Sequence, residues 1–174
     1  MISDVMPLDV IVRPIATSDA ASYHACLDSV ARERRYLAQT EALPFERIDM
    51  FVRESVAQGA AQFVAVDGST VVGWADVFPN WADAVAHCGT LGMGVLAEYR
   101  GRGIGTALLS ACLAKAAAKG ISRVVLEVRA DHSSAIHLYE TAGFTVEARM
   151  RNAMRFDGQY YEALQMSLID EHAA

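Results

Sequence analysis

What the chain lacks narrows it first. Only three cysteines stand in 174 residues, at Cys26, Cys88 and Cys112, widely spaced and odd in number. That excludes a disulfide framework and any clustered ligand spacing, so no metal is expected. Cys112, set among Leu108, Leu109, Ala111 and Leu113, is expected to be a buried thiol. The longest apolar run, Ile104 to Ala114, stops at Lys115, too short to span a bilayer. A basic-then-apolar leader is missing, with Asp4 and Asp9 near the start instead; the expectation is a cytoplasmic protein with no signal peptide and no membrane partner. A basic excess is missing too. Fifteen Lys and Arg against 21 Asp and Glu leave a formal charge of −6, which argues against nucleic acid as a partner. There are no repeats, low-complexity tracts or long linkers. With 53% hydrophobic residues, the length suits one packed domain over residues 1–174.

Glycine, by contrast, is concentrated where it can act. Arg100-Gly101-Arg102-Gly103-Ile104-Gly105-Thr106 is a glycine-rich loop running straight into an apolar helix. Such a loop exposes consecutive backbone N–H groups, and the helix start adds a partial positive charge, which makes an anion site for a phosphate or pyrophosphate. Two common templates are excluded. A Walker A loop needs Lys followed by Ser or Thr after its last glycine, and Thr106-Ala107 follows here. The dinucleotide fingerprint needs a third glycine where Thr106 stands.

The remaining pattern predicts alternating elements. Val10–Arg13 reads as a strand, and Thr17-Ser18-Asp19 offers an N-cap for a helix to about Arg35. After a connector, Phe45–Ala57 has helical periodicity and ends at Gly59. Gln62–Val66 and Val71–Ala75 flank Asp67-Gly68-Ser69-Thr70, a hairpin signal. His87–Val95 is a further strand, then the glycine loop, a helix to Lys119 capped by Gly120, and the strand Arg123–Val128, parallel to its predecessor by the usual crossover. A helix over Ser133–Ala142 and a closing pair, Thr145–Arg149 and Tyr160–Leu168, around the turn Asp157-Gly158 complete the chain.

Two segments, in this order, resemble the GCN5-related N-acetyltransferases (GNAT). The family's pyrophosphate loop reads Arg/Gln-x-x-Gly-x-Gly/Ala, matched by Arg100, Gly103 and Gly105; its later signature is matched by Ala135-Ile136-His137-Leu138-Tyr139-Glu140-Thr141-Ala142-Gly143-Phe144. With the strand segment that precedes them from Leu91, they span roughly a third of the chain through Phe144, and they are specific in combination. The resemblance implies an α/β (α+β mixed-sheet) fold, with about seven strands and about four helices on both faces. It also implies an acetyl-CoA-dependent enzyme that acetylates a primary amine by direct attack.

Residue by residue, the resemblance assigns acetyl-CoA to Arg100, Gly101, Arg102, Gly103, Ile104, Gly105 and Thr106 through backbone N–H groups and arginine charge. It assigns the thioester arm to Met93, Gly94 and Val95, where a free N–H could stabilise the developing oxyanion. Gly92 and Gly94 inside that strand also suggest a bulge or a close ligand approach. Tyr139 falls on the family's general acid. His132 stands where relatives often have an asparagine on the pantetheine arm. Many relatives carry an acid just before the strand's Leu-Gly, whereas this chain has Thr90, which cannot serve as a base. His87 and Glu33 are the leading substitutes, with Asp76 slightly behind.

The acceptor pocket is expected between the helix connector, with Arg34, Arg35 and Tyr36, and the final hairpin, with Tyr160 and Tyr161. An Arg34/Arg35 pair would suit a carboxylate. The acceptor reads as a small amine, amino-acid-like or of polyamine or antibiotic type. Protein N-termini or lysines, and a regulatory module that binds acyl-CoA without turnover, are the alternatives. The edge strands and final hairpin leave room for a homodimer.

Overall fold

The computed structural model describes residues 9–172; the leaderless start inferred from Asp4 lies outside them. Seven strands form one mixed sheet: β1 (Val10–Pro14), β2 (Ala61–Asp67), β3 (Thr70–Pro79), β4 (Cys88–Val95), β5 (Arg123–Arg129), β6 (Thr145–Phe156) and β7 (Gln159–Ile169). Their spatial order is β1-β2-β3-β4-β5-β7-β6. Every pairing is antiparallel except β4 with β5, which run parallel. Four helices, α1 (Ala20–Arg32), α2 (Phe45–Ala57), α3 (Ile104–Ala118) and α4 (Ser133–Thr141), cover the two faces. No helix among the described residues is long and apolar enough to cross a membrane.

Strand alternation sorts the core into two layers. Ala61, Ala65, Val72, Ala75, Val77 and Leu91 pack with Leu108, Leu109 and Cys112 of α3, joined at the rim by Leu138 and Tyr139 of α4. Val64, Val66, Val71 and Trp74 point the other way, against Tyr23, Leu27 and Val30 of α1 and Ile48 and Val52 of α2. Cys112 is wholly buried, as its neighbours predict.

Three local expectations change. First, α1 stops at Arg32 rather than near Arg35. Arg34 takes a left-handed φ of 54° and reaches Asp157 at 3.1 Å, while Glu33 turns toward Arg100. Second, Asp19 makes no cap bond to α1. Its carboxylate accepts both Arg13 guanidinium nitrogens, at 2.7 and 2.9 Å, and the Ala16 N–H at 2.8 Å. Arg13 holds that carboxyl below the usual aspartate range. Third, β6 runs on to Phe156 instead of ending near Arg149, absorbing a register break between Met150 and Met154 where Asn152 has φ 52°. The Asp157-Gly158 turn has φ of 51° and 80° at its two residues, as a tight hairpin turn requires.

Candidate active site

The parallel pair is where the sheet opens. β4 and β5 are in register only over Cys88–Thr90 and Arg123–Val125, so the rest of β4 has no neighbour on that side. Which groups face the gap follows from antiparallel alternation. Leu96 donates to the Val72 carbonyl and Asn80 donates to the Cys88 carbonyl, both at 2.9 Å. Gly92 and Gly94 are in step with these residues and turn their backbone groups to β3; Met93 and Val95 turn theirs to the gap. The Val95 carbonyl is taken there by the Arg100 Nε–H at 2.9 Å. The Met93 and Val95 N–H groups are left facing the wedge.

Beside this wedge lies a cavity of about 310 Å³. Its walls include Met93, Gly94, Val95, Arg100, Gly101, Gly103, Ile104, Gly105, Thr106, His132 and Tyr139. The loop is shaped for an anion. Gly103 precedes α3 in the left-handed conformation, φ 79°, which glycine adopts without a Cβ clash. No side chain caps the helix. Ala107 is the first residue to bond back, to the Gly103 carbonyl at 3.1 Å, so the amides ahead of it are open to a ligand. Arg102 is not part of this wall; it is exposed, with its guanidinium 5.4 Å from the Tyr99 ring. Arg100 lines the cavity, but its guanidinium grips both oxygens of Glu33, at 2.6 and 3.0 Å, and lies 4.7 Å from the Tyr36 ring. It clamps α1, the connector and β4 together.

A second cavity, of about 740 Å³, opens on the α1–α2 face. Tyr139, Met93, His132 and Tyr36 line both cavities, so the two meet at the strand gap. Burial pushes the Tyr139 phenol up to about 12, which keeps it protonated at neutral pH. His132 sits at the N-cap of α4, its ring 4.4 Å from that of Tyr36. Burial, then the Arg100 charge, hold its imidazole below the usual value, so it stays neutral.

The expected bases fare differently. His87 precedes β4 at the end where β4 and β5 are still paired; its ring is exposed against Cys88, outside both cavities. Glu33 lines neither cavity and is held by Arg100. Asp76 does line the second cavity, together with Thr90. The other expected walls move as well. Arg34 is paired with Asp157, and Arg35 borders a small pocket beside Arg129 and Asp131 that adjoins the two cavities at Tyr36 and His132. Tyr161 stacks under the Arg129 guanidinium at 3.6 Å and Tyr160 faces solvent, so Met154 and Gln165 are what the hairpin gives to the cavity.

The bulge expected at Gly92 and Gly94 is absent, since the β3–β4 register is unbroken. The glycines make room for side chains of β3: a Cβ on Gly94 would stand 2.4 Å from the Trp74 ring. Tyr23, Trp74, Arg47 and Glu127 also reach the second cavity, and sequence reading missed them. Their only signal is strand or helix periodicity, which marks a face and not a cavity.

The family model described as the acetyltransferase (GNAT) family matches residues 24–144. Among curated proteins, a mycothiol acetyltransferase of Kocuria rhizophila is 39% identical over 71 residues, which are 41% of this chain and 23% of that protein. The chain thus covers under a quarter of that relative's length. Among solved structures, an acetyltransferase of the GNAT family from Streptococcus pneumoniae superposes with TM-score 0.85 at 22% identity, over 92% of this chain and 99% of the other. A phosphinothricin acetyltransferase from Sinorhizobium meliloti, solved with acetyl-CoA, gives TM-score 0.80 at 21% identity, over 93% and 89%. At such identities the superpositions speak for the fold.

Proposed function

The chain belongs to the GNAT acetyltransferase family, and from that premise we propose that it moves the acetyl group of acetyl-CoA to a primary amine of a small molecule. The observation behind this reading is the meeting of the two cavities at Tyr139. One brings backbone amides and a helix start up to the shared Tyr36, His132 and Tyr139; the other adds Tyr23, Phe51 and Trp74 with a few polar groups. The residues of the first fit acetyl-CoA: open amides of the Gly101–Thr106 loop for the pyrophosphate, and the wedge-facing amides of Met93 and Val95 for the thioester arm. Acetyl-CoA supplies the activated acetyl group. His132, neutral and lining both cavities, offers a hydrogen bond where relatives often use asparagine.

In this reading Tyr139, on the wall that the two cavities share, supplies the proton of the departing sulfur. Arg100 acts chiefly by holding the loop and connector in place, because Glu33 occupies its guanidinium. The second cavity, at about 740 Å³, is within the ordinary range for a small-molecule site, and its mixed wall suits an amine with an apolar body.

The test is acetyl-CoA-dependent release of coenzyme A across amino acids, polyamines, aminoglycosides and short peptides. A selective small-molecule hit supports the reading. Turnover confined to peptides moves the acceptor to protein N-termini or lysines. Acetyl-CoA binding by calorimetry with no turnover across the panel removes the transferase assignment in favour of a binding module.

A further inference from the structure

With acetyl transfer as its premise, we propose that Asp76 is the base that takes the acceptor's ammonium proton, with Gln62 and Tyr23 as positioning residues around it. Gln62 of β2, Asp76 of β3 and Gly92 of β4 are register partners and form one row across the sheet. By alternation their side chains lie on the face that carries Trp74, α1 and α2, where the larger cavity opens and where Asp76 lines it.

The row is built around a carboxylate. A Cβ on Gly92 would stand 3.1 Å from an Asp76 oxygen, so the glycine gives Asp76 space to lean over β4. Thr90, the position that lacks the acid, is on the same face two residues along β4 and diagonal to Asp76, within reach of a side chain from the neighbouring strand. The acid has in effect moved one strand across the sheet. Beside it, Gln62 is 1% exposed; its amide makes no hydrogen bond of ordinary geometry among the described residues, and the polar group close enough to influence it is the Tyr23 phenol. Such a group is expensive to bury unless it serves something next to it. Tyr23, 3% exposed, closes the other side; burial, then the Asp76 charge, push its phenol upward.

The titratable groups that share the cavity with Asp76 come from several elements. Tyr23 comes from α1, Tyr36 from the connector, Arg47 from α2, Glu127 from β5, and His132 and Tyr139 from the α4 region; burial, then the Asp76 charge across the sheet, push the Cys112 thiol of α3 up. No cation among the described residues pairs with Asp76. Burial pushes its carboxyl up to about 7, and the Gly92 amide draws it part of the way back. A base poised near neutrality is the useful kind for this reaction.

The proton balance closes. Asp76 takes one proton from the ammonium and passes it to solvent. The freed nitrogen pair forms the N–C bond to the acetyl carbon as the C–S bond breaks. Tyr139 gives a proton to the sulfur, and the surplus proton on nitrogen restores it.

The experiment pairs rates with a direct view of the carboxyl. Wild type, Asp76→Asn and Gln62→Leu are compared for kcat, for acetyl-CoA affinity by calorimetry, for melting, and for the pH at which the protonated-carboxyl infrared band disappears. The expected result is a band titrating near 7 in wild type and missing in Asp76→Asn, with kcat lower by about 10²-fold or more and unchanged acetyl-CoA affinity and melting cooperativity. Gln62→Leu should shift the band's midpoint and lower kcat, again at constant acetyl-CoA affinity. Asp76→Asn with kcat within about threefold of wild type overturns the proposal; a Gln62→Leu protein with unmoved midpoint reduces Gln62 to packing. If no amine turns over, the acceptor assignment has failed separately, and Asp76 is judged on titration alone. A band that disappears below pH 5 overturns the base, and one near 7 sustains it.

Discussion

The two cavities meet at one tyrosine but are made in opposite ways. The first is built around backbone, with a contiguous loop, a helix start and one strand with unpaired amides, closed by the side chains of Tyr36, His132, Leu138 and Tyr139. The second is built from side chains drawn from α1, the connector, α2, β3, β4, β5 and the final hairpin. Backbone construction fixes what is bound, because an amide offers the same donor in any sequence. Side-chain construction leaves the acceptor and the proton chemistry free to change. If this division holds, substitutions on one side should alter one substrate's parameters and spare the other's.

The largest expected effect is on stability, at Asp76. Its folded-state value near 7 lies above the ordinary 3.8. Stability tied to this group is therefore fully present below about pH 4 and is lost as pH rises through 7, because only the unfolded state ionises freely in between. A separation of that size corresponds to about 4 kcal/mol. Urea melts at pH 4, 6 and 8 should show wild type losing stability relative to Asp76→Asn by an amount of that order. A constant difference across the series would mean that the carboxyl is solvated like any surface aspartate.

Next comes Tyr139→Phe, expected to lower kcat by about 10²-fold at unchanged acetyl-CoA affinity. Equal loss of rate and affinity would move Tyr139 from proton donor to cavity wall. A smaller effect is expected from Gly103→Val, which forces a β-branched residue to φ 79° at a cost of about 1–3 kcal/mol. Measured by calorimetry, acetyl-CoA should bind about tenfold more weakly while KM for the amine stays put. A change in the amine's KM alone would contradict the division between the two sides.

The same division explains what could be read before folding. Arg100–Thr106 is legible as a local backbone device whose glycines adjoin in sequence and Ala135–Phe144 as a contiguous family signature, while the hairpin at Asp67–Thr70 and the parallel crossover follow from short-range signals. The row Gln62–Asp76–Gly92 is not legible, because it exists only in the register of three strands. In sequence His87 is an imidazole on the right strand, but the pairing of β4 with β5 at that end closes the sheet there. Arg34 and Glu33 looked like pocket groups, yet the early end of α1 turns them into struts to Asp157 and Arg100.

Glu33 gives the smallest and most discriminating effect, because two roles for it predict different observables. As a base, Glu33→Gln would collapse kcat. As the partner of Arg100 it should do little: both side chains are about a third exposed, at 27% and 32%, so the pair is worth roughly 1 kcal/mol or less even with bidentate geometry. The expected outcome is kcat within about twofold of wild type, a small loss in melting temperature, and a modest rise in KM for acetyl-CoA as the freed guanidinium releases the connector from the loop. Added salt should raise KM for acetyl-CoA in wild type and variant alike if the loop's hold on phosphate is electrostatic. Because Arg100 touches the cofactor-side wall and Glu33 does not, a change confined to acetyl-CoA parameters places this ion pair with the backbone-built half of the site and leaves the acceptor half to Asp76 and its neighbours.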